Sequence, residues 1–368
     1  MRIGIDARMM GKGYGIGRYI EELVDGLLKL DSQNEYVLFV RPGVVERARF
    51  SGSRFSVVET SVPWYSWQEQ VFFSKLINHA RVDLMHFPHW NVPLLYRGRF
   101  VVTIHDLTMY HYPRPEATTL GPVTYWVKDH IHRMVVRHAV EAAQHIFVTS
   151  EFTKQDVCET LAVPEEKMTV TYQAAFERKK SMVTSTSTKP TKPYILYVGA
   201  AYPHKNIENL IRAWKIFTEK YDTEHELVLV GKNDSFWDRL VSTFDITHLP
   251  QCRYLGFVPD DELGQLYAHA SVFVFPSLYE GFGLPPLEAM VSGLPVVSSD
   301  RSCLKEVLGD GAAYIDPENP EDIAHTLYQV VSDASLREEL IQKGRNQARN
   351  YSWDRLVQHT LDAYMRIG

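Results

Sequence analysis

PSLYEGFGLPPLEAMVSGLPVV, Pro276 to Val297, is the stretch on which the reading of this chain turns. A β-rich run, Val272 to Phe275, ends at Pro276, and the turn Glu280-Gly281-Phe282-Gly283 follows. A helix is expected over Leu284 to Ser292, with Pro285 and Pro286 in its first turn, where a missing amide hydrogen costs little. A further apolar run, Pro295 to Ser298, comes next. Strand, turn, helix, strand is the grammar of a parallel α/β sheet. The unpaired amides at such a helix start, approachable because glycine has no side chain, suit an anion such as a diphosphate. Glu280 and Glu288 bracket the turn, eight positions apart. The same residues also fit a plainer role, in which the glycines only make the turn and Glu288 complements the positive end of the helix.

Outward from this segment the grammar repeats. Tyr194 to Val198 and Glu226 to Val230 read as strands, and Ile207 to Lys220 and Pro259 to Ala270 as helices. In the first half, Arg2 to Ala7, Tyr36 to Val40, Phe55 to Glu59, Leu84 to Phe87, Val101 to Ile104 and His145 to Thr149 read as strands, with a helix at Arg18 to Leu30. Between the halves lies KKSMVTSTSTKPTKP, Lys179 to Pro193, too polar to repay ordering and suited to a linker. The expected organisation is a Rossmann-like domain over 1–178, a linker over 179–193 and a second Rossmann-like domain over 194–350. A C-terminal helix over 351–368 is expected to cross back to the first domain. The fold class is therefore α/β, with two doubly wound domains facing across a cleft. Ligands of such sheets bind outside the carboxyl ends of the strands.

Composition narrows the function classes. A chain of 368 residues exceeds what one core usually serves. Its net charge of -6 gives no basic field for general nucleic-acid binding, so any anion site is local. Cys158, Cys252 and Cys303 are widely spaced and form neither a disulfide framework nor a zinc cluster, which fits a reducing, cytoplasmic setting. No stretch approaches the roughly 20 apolar residues that span a bilayer, and the N-terminus lacks the apolar region of a secretion signal.

Three more loops carry candidate chemistry. In YVGAAYPHKNIENLIRAW, Tyr197 to Trp214, Lys205 stands in the first loop of the second sheet, where an ammonium can meet phosphate oxygens. In GKGYGIGRYIEEL, Gly11 to Leu23, Gly13, Gly15 and Gly17 allow close backbone approach at a helix start. The spacing is not the GxGxxG of a dinucleotide site, and strand Tyr36 to Val40 ends in Arg41 rather than an acidic residue, which disfavours a nicotinamide enzyme. In VVTIHDLTMY, Val101 to Tyr110, His105 and Asp106 sit just past a strand end.

The segment EGFGLPPLEAMVSGLPVV resembles the retaining GT-B glycosyltransferases of family four, also called glycosyl transferases group 1, whose signature is Glu, seven residues, Glu. The resemblance implies that Glu280 touches hydroxyls of the transferred sugar and that Glu288 accepts hydrogen bonds from the nucleotide ribose. Gly281, Phe282, Gly283 and Leu284 belong by the same resemblance to the donor-binding turn, and Lys205 to the diphosphate. Gly15, Gly17 and Arg18 would lie against the donor phosphates and acceptor, and His105 would contact the sugar near the reacting carbon. HFPHWNVPL, His86 to Leu94, and TSEFTKQD, Thr149 to Asp156, resemble family loops that shape the acceptor side. The family usually adds an arginine beside the lysine, but here Ala200 and His204 occupy those places, so His204 and Arg18 are the two candidates for that contact.

The resemblance implies front-face attack with retention, no metal and no cofactor beyond the nucleotide diphosphate sugar. No DxD-like pair follows a strand. MRIGIDARM, GIGRY, HFPH and PHKN resemble the bacterial mannosyltransferase branch that builds O-antigen, which points to GDP-mannose as donor. The implied acceptor is a growing glycan, often polyprenyl-diphosphate-linked, at the cytoplasmic membrane face. WYSWQEQVFFSKL, Trp64 to Leu76, and TYWVKDHIHRMVVRH, Thr124 to His138, fit either peripheral contact with a bilayer or burial in a core. Glycoside hydrolysis is disfavoured, because the two glutamates are better spaced along a long donor than across one glycosidic bond. A sugar-nucleotide epimerase of the same fold and a non-catalytic nucleotide-sugar-binding protein are the competing readings.

Overall fold

The computed structural model describes residues 1–11, 15–50, 52–113, 121–176, 190, 192–221 and 223–368. Gly13 and most of the Lys179 to Pro193 segment lie outside the described residues. The chain divides into two units, one of Met1–Tyr110, Thr118–Gln173 and Ser352–Gly368, the other of His111–Ala117 and Ala174–Tyr351.

The first unit begins β1 (Arg2–Asp6), α1 (Ile16–Leu30), β2 (Glu35–Val40), β3 (Phe55–Glu59). A π-helical turn (Glu69–Phe73) then runs into α2 (Ser74–Ala80). After these come β4 (Leu84–Phe87), β5 (Phe100–Ile104), α3 (Thr108–His111), α4 (Pro122–Ala142), β6 (His145–Val148), α5 (Glu151–Leu161) and β7 (Met168–Val170). The seven strands form one sheet in the order β3-β2-β1-β4-β5-β6-β7, and the pairings are parallel. Val37, Phe39, Met85, Phe87, Val102 and Ile104 enter the core under α2 and α4, while Ile3, Ile5 and Leu38 enter the core under α1. Burial on both faces explains why these strands read as continuous apolar runs.

The second unit contains β8 (Tyr194–Val198), α6 (Ile207–Lys220), β9 (Glu226–Val230), α7 (Ser235–Phe244), β10 (Cys252–Tyr254), α8 (Asp260–His269) and β11 (Val272–Phe275). It continues with α9 (Leu284–Val291), β12 (Val296–Ser299), α10 (Leu304–Leu308), β13 (Ala312–Ile315), α11 (Pro320–Ser332) and α12 (Ala334–Ala348). Its six strands are ordered β10-β9-β8-β11-β12-β13, again with parallel pairings. Three short strands, β7, β10 and β13, were not expected from the sequence. With three or four residues each, they are too short to show a period. In both sheets the winding direction reverses in the middle, at β1/β4 and at β8/β11. The loops leaving those four strands therefore flank a topological switch point, where sheets of this kind bind ligands.

The last helix, α13 (Trp353–Ile367), belongs to the first unit and packs on α1. A Cβ at Gly26 of α1 would stand 2.4 Å from a Val357 methyl, so the helices touch through the missing side chain. A buried polar chain ties α13 to the sheet. His86 Nδ1 lies 2.5 Å from the Tyr364 hydroxyl, His86 Nε2 lies 2.8 Å from Thr103 Oγ1, and Thr103 lies 3.2 Å from the Tyr19 hydroxyl. Burial drives the His86 pKa down to about 3, so the ring is a neutral cross-link. Tyr364→Phe should leave one ring nitrogen unsatisfied and cost about 1–3 kcal/mol of unfolding free energy. Urea unfolding of the full chain would measure it, and a loss below about 0.5 kcal/mol would show that the hydroxyl is not needed.

Candidate active site

In the second unit the switch point is built by the loops after β8 and β11. The β8 loop closes with a 3₁₀ turn, Pro203–Lys205, and Asn206 in the left-handed region (φ 59°) begins α6. Asn206 Nδ2 donates to the carbonyls of Pro276 (3.1 Å) and Pro317 (2.6 Å), which locks the β8 loop to the ends of β11 and β13. The Leu278 amide donates to the His204 carbonyl at 2.7 Å. These links bring Lys205 Nζ to 2.5 Å from Glu280 Oε1, with the two side chains only 17% and 12% exposed. The same ammonium stands 5.7 Å from the Phe275 ring centroid.

Glu280 is fixed from its other side by its own amide, which donates to Ser302 Oγ at 3.0 Å. Its charge is felt nearby: burial raises the Cys303 thiol well above its usual range, and Glu280 adds to the shift. Gly281 and buried Phe282 complete the turn, with Phe282 edge-on to Tyr351 at 5.5 Å. Gly283 caps α9 with φ 91°, a conformation that favours glycine, and a Cβ there would meet Leu304 at 2.8 Å. Leu284 is the first residue of α9, and Glu288 is buried in that helix. His204 is buried, its ring 5.9 Å from that of Tyr202.

In the first unit Gly15 caps α1 with φ 58°, Gly17 is buried in the helix, and Arg18 is half-buried beside it. His105 follows β5. Its Nε2 lies 2.8 Å from the Pro88 carbonyl, which can only accept, so Nε2 carries the hydrogen. Nδ1 is then the acceptor in the neutral ring, and the Gln173 amide donates to it at 3.2 Å. The edge contact of Tyr19, with ring centroids 4.8 Å apart, holds the ring from the α1 side. Burial lowers the His105 pKa, against smaller opposing effects of the Pro88 carbonyl and Asp106. Asp106 itself accepts from the Thr108 amide at 2.8 Å, which shapes the loop.

The structure thus brings Lys205 and Glu280 into direct contact and sets His105 beside the α1 residue Tyr19. Asn206, Ser302 and Gln173 were not singled out in the sequence. Asn206 was the most accessible of the three, since asparagine tolerates the left-handed conformation at a helix start. Ser302 and Gln173 gave no local signal, because their partners are 22 and 68 residues away.

The sequence profile of glycosyl transferases group 1 matches residues 179–347, and that of glycosyltransferase family 4 matches residues 14–174. An O-antigen chain mannosyltransferase B from Escherichia coli is 32% identical over 95% of both chains. O-antigen chain mannosyltransferase RfbU from Salmonella typhimurium is 27% identical over 80% of this chain and 77% of its own. Among solved structures, WaaG, a glycosyltransferase involved in lipopolysaccharide biosynthesis, superposes with a TM-score of 0.73 at 15% identity, covering 99% of each chain. Sucrose-phosphate synthase from Thermosynechococcus elongatus superposes with a TM-score of 0.75 at 19% identity, covering 100% of this chain and 99% of its own. The chain belongs to the glycosyl transferases group 1, glycosyltransferase family 4, and has the GT-B fold.

The His105 geometry makes a spectroscopic prediction. Nitrogen-15 NMR of the imidazole should show a neutral ring protonated at Nε2 that titrates below the ordinary value of about 6.5. Gln173→Leu removes the donor to Nδ1, a bond only the neutral ring can accept, and should raise the His105 pKa. An unchanged tautomer and pKa in that variant would show that Gln173 does not set the ring's state.

Proposed function

We propose that the chain is a retaining, metal-independent mannosyltransferase that moves mannose from GDP-mannose to a hydroxyl of a glycan in surface-polysaccharide synthesis. The observation that carries this reading is the Lys205–Glu280 pair at the β8/β11 switch point. An ammonium there meets the diphosphate, and a carboxylate beside it accepts hydrogen bonds from sugar hydroxyls. Likeness to two O-antigen mannosyltransferases supports mannose and a glycan acceptor. The acceptor fits a polyprenyl-diphosphate-linked glycan at the cytoplasmic membrane face.

When the donor enters, Lys205 turns part of its hydrogen bonding from Glu280 to the phosphate oxygens, and Glu280 turns to the sugar. Gly281, Phe282, Gly283 and Leu284 present the α9 start to the diphosphate, and Glu288 receives the ribose hydroxyls. His204, or else Arg18, takes the diphosphate contact that an arginine beside the lysine supplies elsewhere in the family. Gly15 and Gly17 allow close approach of donor phosphates, and His105 meets the sugar near its reacting carbon. The bond from the anomeric carbon to the β-phosphate oxygen breaks, and the acceptor oxygen bonds to that carbon on the same face. The acceptor's proton passes to the departing phosphate oxygen. Positive charge from Lys205 and the helix amides stabilises the leaving group, so no metal takes part.

Transfer from GDP-mannose to a mannose oligosaccharide in EDTA, with the product's anomeric configuration read by NMR, tests this. The product should keep the donor's configuration, and Glu280→Gln should lower turnover on the order of 10²-fold. Inversion would overturn the mechanism, loss of activity in EDTA the metal independence, and preference for a uridine donor the choice of GDP-mannose.

A further inference from the structure

The loop after β12 backs the donor turn of the second unit, and one residue in it is held in a conformation that its side chain disfavours. Ser302 has φ 52°, in the left-handed region. Arg81, Ala162 and Asp245 take the same conformation where α2, α5 and α7 end, a common way for a helix to terminate. Ser302 ends no helix, since Cys303 caps the start of α10 directly after it. A Cβ makes this conformation costly, and glycine would remove the cost. The neighbours of Ser302 hold it there. The Asp300 amide donates to the Ile315 carbonyl at 3.2 Å, and the Arg301 amide donates to Ser299 Oγ at 3.1 Å. The Arg301 guanidinium reaches Asp316 at 3.0 Å and Glu318 at 3.3 Å, which anchors the loop to the residues after β13. On the other side, Cys303 and Leu304 are fully buried. Strain of this kind persists where the surroundings over-determine it, and it gathers at functional sites.

What the strained residue supplies is a hydroxyl at one place. Ser302 Oγ accepts from the Glu280 amide at 3.0 Å, which joins the loops that leave the adjacent strands β11 and β12. Leu304 of the same loop stands 2.8 Å from where a Cβ of Gly283 would be, so the loop meets the donor turn twice. Glycine at 302 would relax the backbone but leave the Glu280 amide without this acceptor. Alanine would lose the acceptor and keep the strain.

The bond matters most when the site is loaded. Without a ligand the Glu280 carboxylate is held by Lys205 at 2.5 Å. A diphosphate draws the ammonium away, and the carboxylate then loses that hold when it has to face the sugar. The hold on the amide does not depend on the ion pair and survives its division. We propose that Ser302 is a positioning residue for Glu280, whose amide it holds so that the carboxylate meets the sugar hydroxyls after Lys205 turns to the diphosphate. The role rests on the reading of Glu280 as the sugar contact.

Ser302→Gly and Ser302→Ala test it together, because they lose the same hydroxyl and differ in strain. Hydrogen exchange of the Glu280 amide, followed by NMR without substrate, should be at least tenfold faster in both. In transfer from GDP-mannose to a mannose oligosaccharide, kcat should fall at least tenfold in both, with GDP bound no more weakly than by wild type. A misplacement of about 1 Å can cost on the order of 10²-fold in rate. Thermal unfolding should rank Ser302→Gly above Ser302→Ala, so the loss of turnover does not follow stability. S302G/E280Q should turn over like Glu280→Gln alone. An unchanged exchange rate would overturn the proposal whatever the reaction is, because that measurement needs no substrate. So would wild-type turnover in Ser302→Gly beside an impaired Glu280→Gln, or a Ser302→Gly loss that persists in full on top of Glu280→Gln. Wild-type turnover in Glu280→Gln would refute the sugar contact itself, and the role of Ser302 with it.

Discussion

Lys205 and Glu280 are 75 residues apart in sequence and 2.5 Å apart in space, in a partly buried site. Removing two charges from water costs several kcal/mol each, and an isolated pair regains that only with good geometry and further hydrogen bonds. Here the sheet supplies the geometry. Strands β8 and β11 are neighbours because the winding direction reverses between them, so their following loops leave the same edge side by side. Asn206 then ties the two loops and the end of β13 together through two carbonyls. The donor assignment depends on this constraint: a partly buried charge pair that a charged ligand can divide between its phosphate and its hydroxyls.

The first unit uses the same principle with different chemistry. At the β1/β4 switch point the buried charges, Asp6, Arg8 and Glu69, are consumed within the protein and fix loops. The histidines nearby are kept neutral by burial. His105 has one nitrogen on the Pro88 carbonyl and the other on Gln173, so it is placed as an oriented neutral ring and not as a cation. The second unit thus carries a fixed ammonium at its switch point, and the first carries an oriented neutral histidine ring after β5.

Much of this was legible in the sequence, for physical reasons that differ by element. Strands such as Val272–Phe275 and Tyr194–Val198 were read to the residue, because burial on both faces demands unbroken β-branched and aromatic runs. Helix Ile207–Lys220 was equally clear from its one-sided apolar period. Met168–Val170, Cys252–Tyr254 and Ala312–Ile315 were missed, being sheet-edge strands of three or four residues whose place is set by their neighbours. Glu280 and Lys205 were visible through their loops, but their ion pair was not, since it arises from strand order. Gln173 and Ser302 were silent for the same reason.

The central claim is that Lys205 is shared between Glu280 and the donor diphosphate. Calorimetric titration of GDP, which carries the diphosphate without the sugar, into wild type, Lys205→Met, Glu280→Gln and the double variant tests it most directly. The account predicts that Lys205→Met weakens GDP binding at least tenfold and that Glu280→Gln binds GDP as tightly as wild type or more tightly. The double variant should behave like Lys205→Met alone. Equal GDP affinity in wild type and Lys205→Met, or a loss in Glu280→Gln as large as that in Lys205→Met, would contradict it.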